Sequence, residues 1–218
     1  MADSRAAAVP SSRITYSLSL SQMGASTSSL PAGELDRISI ESGLSKQSVL
    51  TLYKRFLQLA SHRERDSGQY FLTKVDFIAI EELKLNPLGE RIVDAFFADA
   101  EVGEREKVYF YDFVKVLSHF RPINKNKPHL WNTREAKLRF AFTMYDLNKS
   151  ETITKDEFKN ILQMMIGSNV SEEQVNSIAD RTMREADKDN DGYITFQEFC
   201  HAMEKTDIEQ KMSFHFLA

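Results

Sequence analysis

Residues 187–198, DKDNDGYITFQE, constrain the fold of this chain most strongly, because oxygen-bearing side chains recur there at a fixed spacing. The stretch matches D-x-[DN]-x-[DN]-G-x5-E at every fixed position. Ca²⁺ takes about six to eight oxygen ligands from a loop of this length. The predicted ligands are the carboxylates of Asp187, Asp189 and Asp191, the backbone carbonyl of Tyr193, and both oxygens of Glu198. An acidic surface loop without a metal is disfavoured by five matched positions and helical patterning on both flanks, so we predict a calcium loop.

A second stretch, residues 146–157, has the same spacing with a poorer set of ligands. The predicted ligands are Asp146, Asn148, Ser150, the carbonyl of Thr152, and Glu157. Glu151 stands at the sixth position, where the other loop has Gly192 for the sharp turn, and a left-handed conformation costs a non-glycine residue roughly 1–2 kcal/mol. The set carries two carboxylates against four, so we predict two calcium sites with the tighter one at residues 187–198.

Two earlier loops also lie between helical segments, but they lack the acids that a cation needs. Their twelfth positions are Asp76 and Asp112. Counting back from these, the first, third and fifth positions hold Arg65, Ser67 and Gln69 in one loop and Glu101, Gly103 and Arg105 in the other. Hydrophobic residues remain at the eighth positions, where Val108 provides a partner for Leu72. We predict that both loops remain as structure without calcium.

Apolar residues at helical spacing flank each loop, which predicts an all-α fold of four helix–loop–helix units in two lobes, with short β pairings between loops. Residues 1–30 are rich in serine and are predicted to be a disordered N-terminal extension. Residues 31–120 form the N-terminal lobe, with the two calcium-free units. Residues 121–132 contain two prolines and form a linker. Residues 133–218 form the C-terminal lobe, with both calcium loops and a C-terminal segment.

Local signals predict where several helices begin and end. Gly43 ends the first helix and Ser45 caps the second. Asn86 and the following proline, as cap and first helical residue, predict another helix start. Asn132 predicts a capped start at the C-terminal lobe, and Ser171 with the glutamine three residues later predicts a capped helix before residues 187–198.

Composition excludes several functions. The formal net charge of the 218 residues is −4, which argues against nucleic acid as the main partner. No run approaches the roughly 18 apolar residues that a membrane span needs. The single cysteine, Cys200, excludes an intrachain disulfide framework. The sequence contains no nucleophile-and-base motif and no nucleotide-binding glycine loop, so we predict that the protein is not an enzyme.

The order of two silent and two calcium-competent loops resembles the calcineurin B homologous proteins, EF-hand proteins related to calcineurin B, the regulatory subunit of a phosphatase. The resemblance covers about residues 33–218. The segments that carry it are LNPLGERIVDAFF (85–97), HFRPI (119–123), LRFAF (138–142), ILQMMIG (161–167), SIADRT (177–182), EADKDNDG (185–192) and IEQKMSFHFL (208–217).

The resemblance implies a regulatory subunit of a plasma-membrane sodium/proton exchanger that supports the exchanger's activity, stability and pH regulation. The implied contact is an amphipathic helix in the exchanger's cytoplasmic tail, which places the protein in the cytoplasm and at the cytoplasmic face of the plasma membrane. Membrane association would come through the partner, or through a myristoyl group on Gly24 if translation starts at Met23. The family's export-like stretches map to residues 161–170 and 178–186 and imply nuclear shuttling, although core packing also explains their periodicity.

Other functions remain open at this point. The chain could act as a regulator or inhibitor of calcineurin through the phosphatase's catalytic subunit, although a true calcineurin B is expected to keep four competent loops. It could also be a calcium sensor in membrane trafficking, or a free calcium buffer without a dedicated partner.

Overall fold

The computed structural model describes residues 30–100, 106–124, 126, 129–167, 170–208 and 212. These residues form ten helices and five short strands, which confirms the predicted helical fold class. The helices are α1 Ala32–Ser42, α2 Lys46–Leu59, α3 Lys74–Ile78, α4 Glu81–Lys84, α5 Gly89–Asp99, α6 Phe110–Ser118, α7 Arg134–Tyr145, α8 Lys155–Ile166, α9 Glu172–Ala186 and α10 Phe196–Ala202. The strands are β1 His62–Arg63, β2 Tyr70–Leu72, β3 Val108–Tyr109, β4 Thr152–Thr154 and β5 Tyr193–Thr195.

Successive loops are joined in pairs by short antiparallel strands. In the N-terminal lobe β2 pairs with β3, and Leu72 lies opposite Val108. In the C-terminal lobe β4 pairs with β5, and Ile153 lies opposite Ile194. The hydrophobic eighth positions therefore meet as predicted. Strand β1, which pairs with β2, was not predicted, because His62 and Arg63 precede the twelve loop positions counted back from Asp76.

Several helix boundaries follow the predicted signals. Gly43, at φ +66°, ends α1 in the left-handed conformation that glycine adopts at little cost. The side chain of Ser45 accepts a hydrogen bond from the backbone N–H of Ser48 and caps α2. Ser171 caps α9 in the same way. These three predictions are confirmed.

Two predicted starts are displaced along the chain. Helix α5 begins at Gly89 rather than after Asn86, because the Asn86 side chain closes a local turn by accepting from the N–H of Leu88 at 2.9 Å. Helix α7 is capped by Thr133, which accepts from Ala136 at 3.0 Å. Asn132 instead is buried and donates its side-chain amide to the carbonyl of Pro122.

Helix α7 contributes to two hydrophobic cores. Phe140 is buried among the aromatic residues of the N-terminal lobe, where its ring lies 4.9 Å from that of Phe120, while Leu138 and Phe142 belong to the C-terminal core. The N-terminal core also contains buried Leu30, the last residue of the predicted extension; residues 1–29 lie outside the described residues. The two lobes therefore share α7 as a packed element.

The described part of the predicted linker packs against the N-terminal lobe. The Arg121 guanidinium donates to the carbonyl of Ser42 at 2.7 Å and to that of Gly43 at 3.3 Å, at the end of α1. The Trp131 ring meets that of Tyr111 edge-on at 5.7 Å. This segment positions the lobes rather than merely joining them.

The acid at the twelfth position of each loop caps the helix that follows it. In the first loop, which is predicted to be calcium-free, Asp76 accepts from the backbone N–H of Thr73 at 2.7 Å and from its hydroxyl at 2.8 Å. Asp112 accepts from the N–H of Tyr109 in the second loop. Glu157 and Glu198 make the same contacts in the C-terminal lobe. In the first two loops, as in the last two, this acid stabilises a helix start.

We expect Asp76→Asn to reduce the free energy of unfolding by about 1 kcal/mol at pH 7, because the amide oxygen can still accept these hydrogen bonds but lacks the charge that strengthens them. Burial acts to raise the pKa of Asp76, but hydrogen bonds from Ser61 and Thr73 outweigh it and hold the pKa below 3.8. A lowered pKa stabilises the fold at neutral pH, and this contribution is lost as the pH falls below 3.8.

Urea unfolding of calcium-free protein at pH 7 and pH 3 tests this expectation. The difference between wild type and Asp76→Asn should shrink at pH 3. Asp66→Asn, at an exposed position of the same loop, is the matched control and should leave stability within about 0.5 kcal/mol at both pH values. An undiminished difference at pH 3 would contradict the assigned role of the carboxylate.

Candidate metal centre

The loop at residues 187–198 brings three carboxylates together where α9 ends. One oxygen from each of Asp187, Asp189 and Asp191 lies within 4.8 Å of the others. Oδ1 of Asp187 is buried and has no hydrogen-bond partner. A buried carboxylate oxygen without a donor is costly unless a cation or water satisfies it. The donor set consists of hard oxygens, so these residues fit Ca²⁺.

Backbone N–H groups hold these carboxylates in place. Gly192, at φ +90°, donates to Oδ2 of Asp187 at 2.9 Å, and Tyr193 donates to Oδ1 of Asp191 at 2.8 Å. Glu198 uses one oxygen for the N–H of Lys188 at 2.7 Å and the other for the N–H of Thr195 at 2.9 Å. The twelfth residue is thereby anchored at both ends of the loop, beside the acids of the first turn.

The electrostatics of this loop reflect clustered negative charge. The N–H of Asp191 acts to lower the pKa of Asp189, but desolvation and the charges of Asp191, Glu198 and Asp187 outweigh it and raise that pKa. The N–H groups of Thr195 and Lys188 lower the pKa of Glu198. Repulsion among the acids is the kind of unfavourable energy that a bound divalent cation removes.

The loop at residues 146–157 is arranged similarly with fewer charges. Oδ2 of the buried Asp146 accepts from the N–H of Glu151 at 2.9 Å, and Glu151 adopts the expected left-handed conformation at φ +63°. Burial acts to raise the pKa of Glu157, but hydrogen bonds from Thr154, Asn148 and Leu147 outweigh it and lower that pKa. The Ser150 hydroxyl donates to the carbonyl of Thr152 at 3.2 Å, so two predicted ligands contact each other. Within the described ranges, a cluster of three carboxylates forms at residues 187–198 and not here.

Side-chain cations lie at the two N-terminal loops, which lack the acids of the C-terminal ones. The Lys107 ammonium pairs with Glu64 at 3.1 Å and lies 4.7 Å from the centre of the Phe71 ring. The Arg63 guanidinium donates to the carbonyl of Gly68 at 2.7 Å. Positive side chains at these loops disfavour a second, bound cation, which supports the prediction that the loops are calcium-free. Sequence reasoning missed Lys107 because its partner lies 43 residues away.

Three predicted features lie wholly or partly outside the described residues. Gly24, the proposed lipid site, is one, and residues 101–105 of the second loop are another. Most of the segment at 208–217 is the third. The structure therefore does not test these three features, which stay predictions.

Gly192→Ala should destabilise the protein by about 1–2 kcal/mol and weaken calcium binding, because a side chain is strained at φ +90°. Gly33→Ala is the matched control. Gly33 lies in α1 with open space around it, and alanine favours a helix over glycine by about 0.5–1 kcal/mol. Thermal unfolding with and without calcium distinguishes the two. Equal effects of the two substitutions would show that the turn at Gly192 is not special.

Comparison with known proteins agrees with this geometry. The model of the EF-hand domain pair matches residues 135–204, which include both predicted calcium loops. The calcineurin B protein of Naegleria gruberi is 34% identical over 191 residues, covering 88% of this chain and 98% of the relative. The chain belongs to the calcineurin B-like EF-hand proteins. Members of this family bind calcium and act as regulatory subunits rather than enzymes, which confirms the predicted absence of catalytic function.

This calcineurin B-like protein has no helix among its described residues that is both long and apolar enough to cross a membrane. The family assignment supports calcium as the cofactor. In this chain the charged oxygens of one site would come from Asp187, Asp189, Asp191 and Glu198. Those of the other site would come from Asp146 and Glu157. The bound ion would supply positive charge that holds each loop and its two flanking helices together.

Proposed function

We propose that this calcineurin B-like protein is a calcium-binding regulatory subunit of a plasma-membrane sodium/proton exchanger. It binds an amphipathic helix in the exchanger's cytoplasmic tail and supports the exchanger's activity, stability and pH regulation. The single observation that carries the proposal is the pair of N-terminal loops, which lack the acids of a calcium site and are joined by the ion pair of Lys107 and Glu64. An N-terminal lobe assembled without calcium suits a subunit that stays bound, whereas a phosphatase subunit is expected to use four calcium loops.

Exposed apolar side chains support helix binding. Residues with more than a third of their surface exposed lie on both lobes: Val75, Ile78 and Leu85 on one, and Met164, Met165 and Ile178 on the other. An amphipathic helix docks by placing apolar residues at helical spacing against such surfaces. The methionines, which lie at the end of α8, are flexible enough to adapt to a partner.

We also propose that calcium occupies two sites and that residues 187–198 form the tighter one. That loop has four carboxylates, an unpartnered oxygen on Asp187 and a glycine at its turn. The loop at residues 146–157 has two carboxylates and Glu151 in a strained conformation. Ligand charge and site rigidity both favour the former.

The proposed location follows from the proposed partner. The protein would lie in the cytoplasm and at the cytoplasmic face of the plasma membrane, held there by the exchanger or by a lipid on Gly24 of a shorter product. Fractionation of cells with and without the exchanger tests this, and equal membrane recovery from both would contradict attachment through the partner.

A second candidate partner is the catalytic subunit of calcineurin. The 34% identity to the calcineurin B protein of Naegleria gruberi over most of both chains favours it. In that case the same apolar surfaces would receive the helix of the phosphatase, and the protein would regulate or inhibit it.

Calorimetric titration distinguishes the two candidates. The full chain is titrated with a juxtamembrane exchanger helix and with the helix by which the phosphatase's catalytic subunit holds calcineurin B, each with calcium and with a chelator. A version of each peptide with its apolar face replaced by serine is the matched control. Tight binding of the exchanger helix alone supports the proposal, and preference for the phosphatase helix supports the second candidate. Binding of neither would overturn both.

A further inference from the structure

Arg91, on α5 of the N-terminal lobe, contacts the end of α7 in the C-terminal lobe. Its Nε donates to the carbonyl of Met144 at 3.1 Å, and its Nη2 donates to those of Thr143 at 3.0 Å and Asp146 at 3.4 Å. Oδ2 of Asp94 accepts from Nη1 at 3.1 Å and fixes the guanidinium. The Arg91 side chain is 14% exposed, so water competes little for these carbonyls.

These carbonyls are available to Arg91 because the calcium loop turns away from the helix axis. In a continuing helix, the carbonyls of Thr143 and Met144 would accept from the N–H groups four residues later. Those N–H groups, of Leu147 and Asn148, instead donate to Oε1 of Glu157 at 2.9 and 3.1 Å. At this turn Glu157 therefore accepts from the two N–H groups, and Arg91 donates to the two carbonyls.

The sister loop is completed by its own residues. There the N–H of Lys188 donates to Oε1 of Glu198, as the corresponding N–H does in the other loop. The carbonyl of Glu185, at the end of the preceding helix, accepts a hydrogen bond from Nζ of Lys188 at 2.7 Å. Lys188 is exposed and lies three residues from its acceptor, whereas Arg91 is 52 to 55 residues from its own.

We infer that Arg91 is a positioning residue for the calcium loop at residues 146–157 and couples calcium binding there to the packing of α5 on α7. The inference rests on the proposed function in one respect, that this loop binds calcium. Arg91 touches the carbonyl of Asp146, the first ligand position, and two carbonyls of the preceding helix. Displacing α5 removes these donors, so the first turn of the loop loses the contacts that hold the backbone of Asp146 in place.

The coupling extends into the N-terminal lobe and acts in both directions. The other oxygen of Asp94 pairs with Lys74 on α3 at 3.1 Å, next to the exposed Val75. A partner that shifts α3 or α5 therefore changes calcium affinity at residues 146–157. By thermodynamic reciprocity, calcium at that loop changes the affinity for such a partner by the same factor. Among the described residues, no side chain of the N-terminal lobe makes the corresponding contact to residues 187–198, so their affinity depends on Arg91 only indirectly, through the pairing of β4 with β5.

Calcium titration of the full chain, one loop at a time, tests the inference. Glu198→Gln leaves residues 146–157 as the site observed, and Glu157→Gln leaves residues 187–198. Adding Arg91→Met to the first variant should weaken calcium binding about 10- to 100-fold, as loss of an outer-shell contact does. Adding Arg91→Met to the Glu157→Gln variant should change calcium affinity less than about twofold. Arg91→Lys keeps the charge but loses the planar fork, and should give an intermediate loss.

Arg121→Met is the matched control, since Arg121 also donates to carbonyls at a helix end, that of α1, far from either loop in sequence. It should leave calcium affinity unchanged in both backgrounds. Equal weakening by Arg91→Met and Arg121→Met, or equal weakening of both sites by Arg91→Met, would indicate general loss of stability and overturn the inference. If Glu198→Gln alone abolishes all calcium binding, the assignment of a second site fails instead. Unchanged affinity of the Arg91 variants, with the second site intact, overturns the inference alone.

Discussion

Glu198→Gln is expected to weaken calcium binding at residues 187–198 by on the order of a hundredfold or more, the largest functional effect of a single substitution in this chain. Glutamine can still accept from the N–H of Thr195 and cap α10, because capping boxes take Glu or Gln at this position. The change therefore removes a charged ligand while the helix start is kept. We also expect weaker binding of the target helix, because calcium holds the C-terminal lobe in its binding conformation.

Calcium and peptide titrations measure both effects. Glu185→Gln is the matched control, because it makes the same chemical change on an exposed residue of α9 whose side chain pairs locally, with Arg181 at 2.8 Å. It should alter neither titration. Unchanged peptide affinity in Glu198→Gln, with calcium binding lost, would show that this site is not coupled to the helix-binding surface.

Lys137→Ala is expected to produce the largest loss of stability, about 3–5 kcal/mol. Lys137 is fully buried, and its ammonium donates to the carbonyls of His119 at 2.5 Å, Arg121 at 2.9 Å and Met212 at 3.3 Å. Removing it takes the donor from three carbonyls at once and leaves a cavity where its stem lay. The contacts join the end of the N-terminal lobe, the linker and the C-terminal segment, so all three should loosen together.

Urea unfolding of calcium-loaded protein measures the loss. Lys137→Met restores most of the buried volume without the donors, so it should recover the packing contribution only. Lys54→Ala, at an exposed position of α2, is the control and should change stability by less than about 0.5 kcal/mol. A loss below about 1 kcal/mol for Lys137→Ala would mean that other groups or water serve these carbonyls.

The sequence predicted well those features that depend on the spacing of residues within one loop. The loop spacing placed Asp187, Asp189 and Asp191 together, and the eighth positions placed Ile153 opposite Ile194, because both follow from a fixed loop length. The start of α5 was predicted too early, because the Asn86–Pro87 signal formed a turn rather than a cap.

Arg91 and Lys137 could not be assigned from the sequence, because their roles depend on partners far away along the chain. Helix α7 explains part of the difficulty. It buries residues in both cores, so its apolar positions do not mark a single buried face. The sequence pattern therefore does not distinguish the buried Lys137 from an exposed lysine. The ion pair of Lys107 and Glu64 was missed for the same reason, since the two residues lie 43 positions apart in the chain.

The pairing of β4 with β5 has a consequence for how calcium binds. Three residue pairs join the two loops directly, from Thr152 opposite Thr195 to Thr154 opposite Tyr193. Ordering one loop therefore fixes the paired strand of the other. Binding of the second ion then costs less conformational entropy, because part of its loop is already ordered. If both loops fill, their occupancies rise together over a narrower range of calcium concentration than two independent sites would show. The ladder makes the C-terminal lobe a cooperative unit.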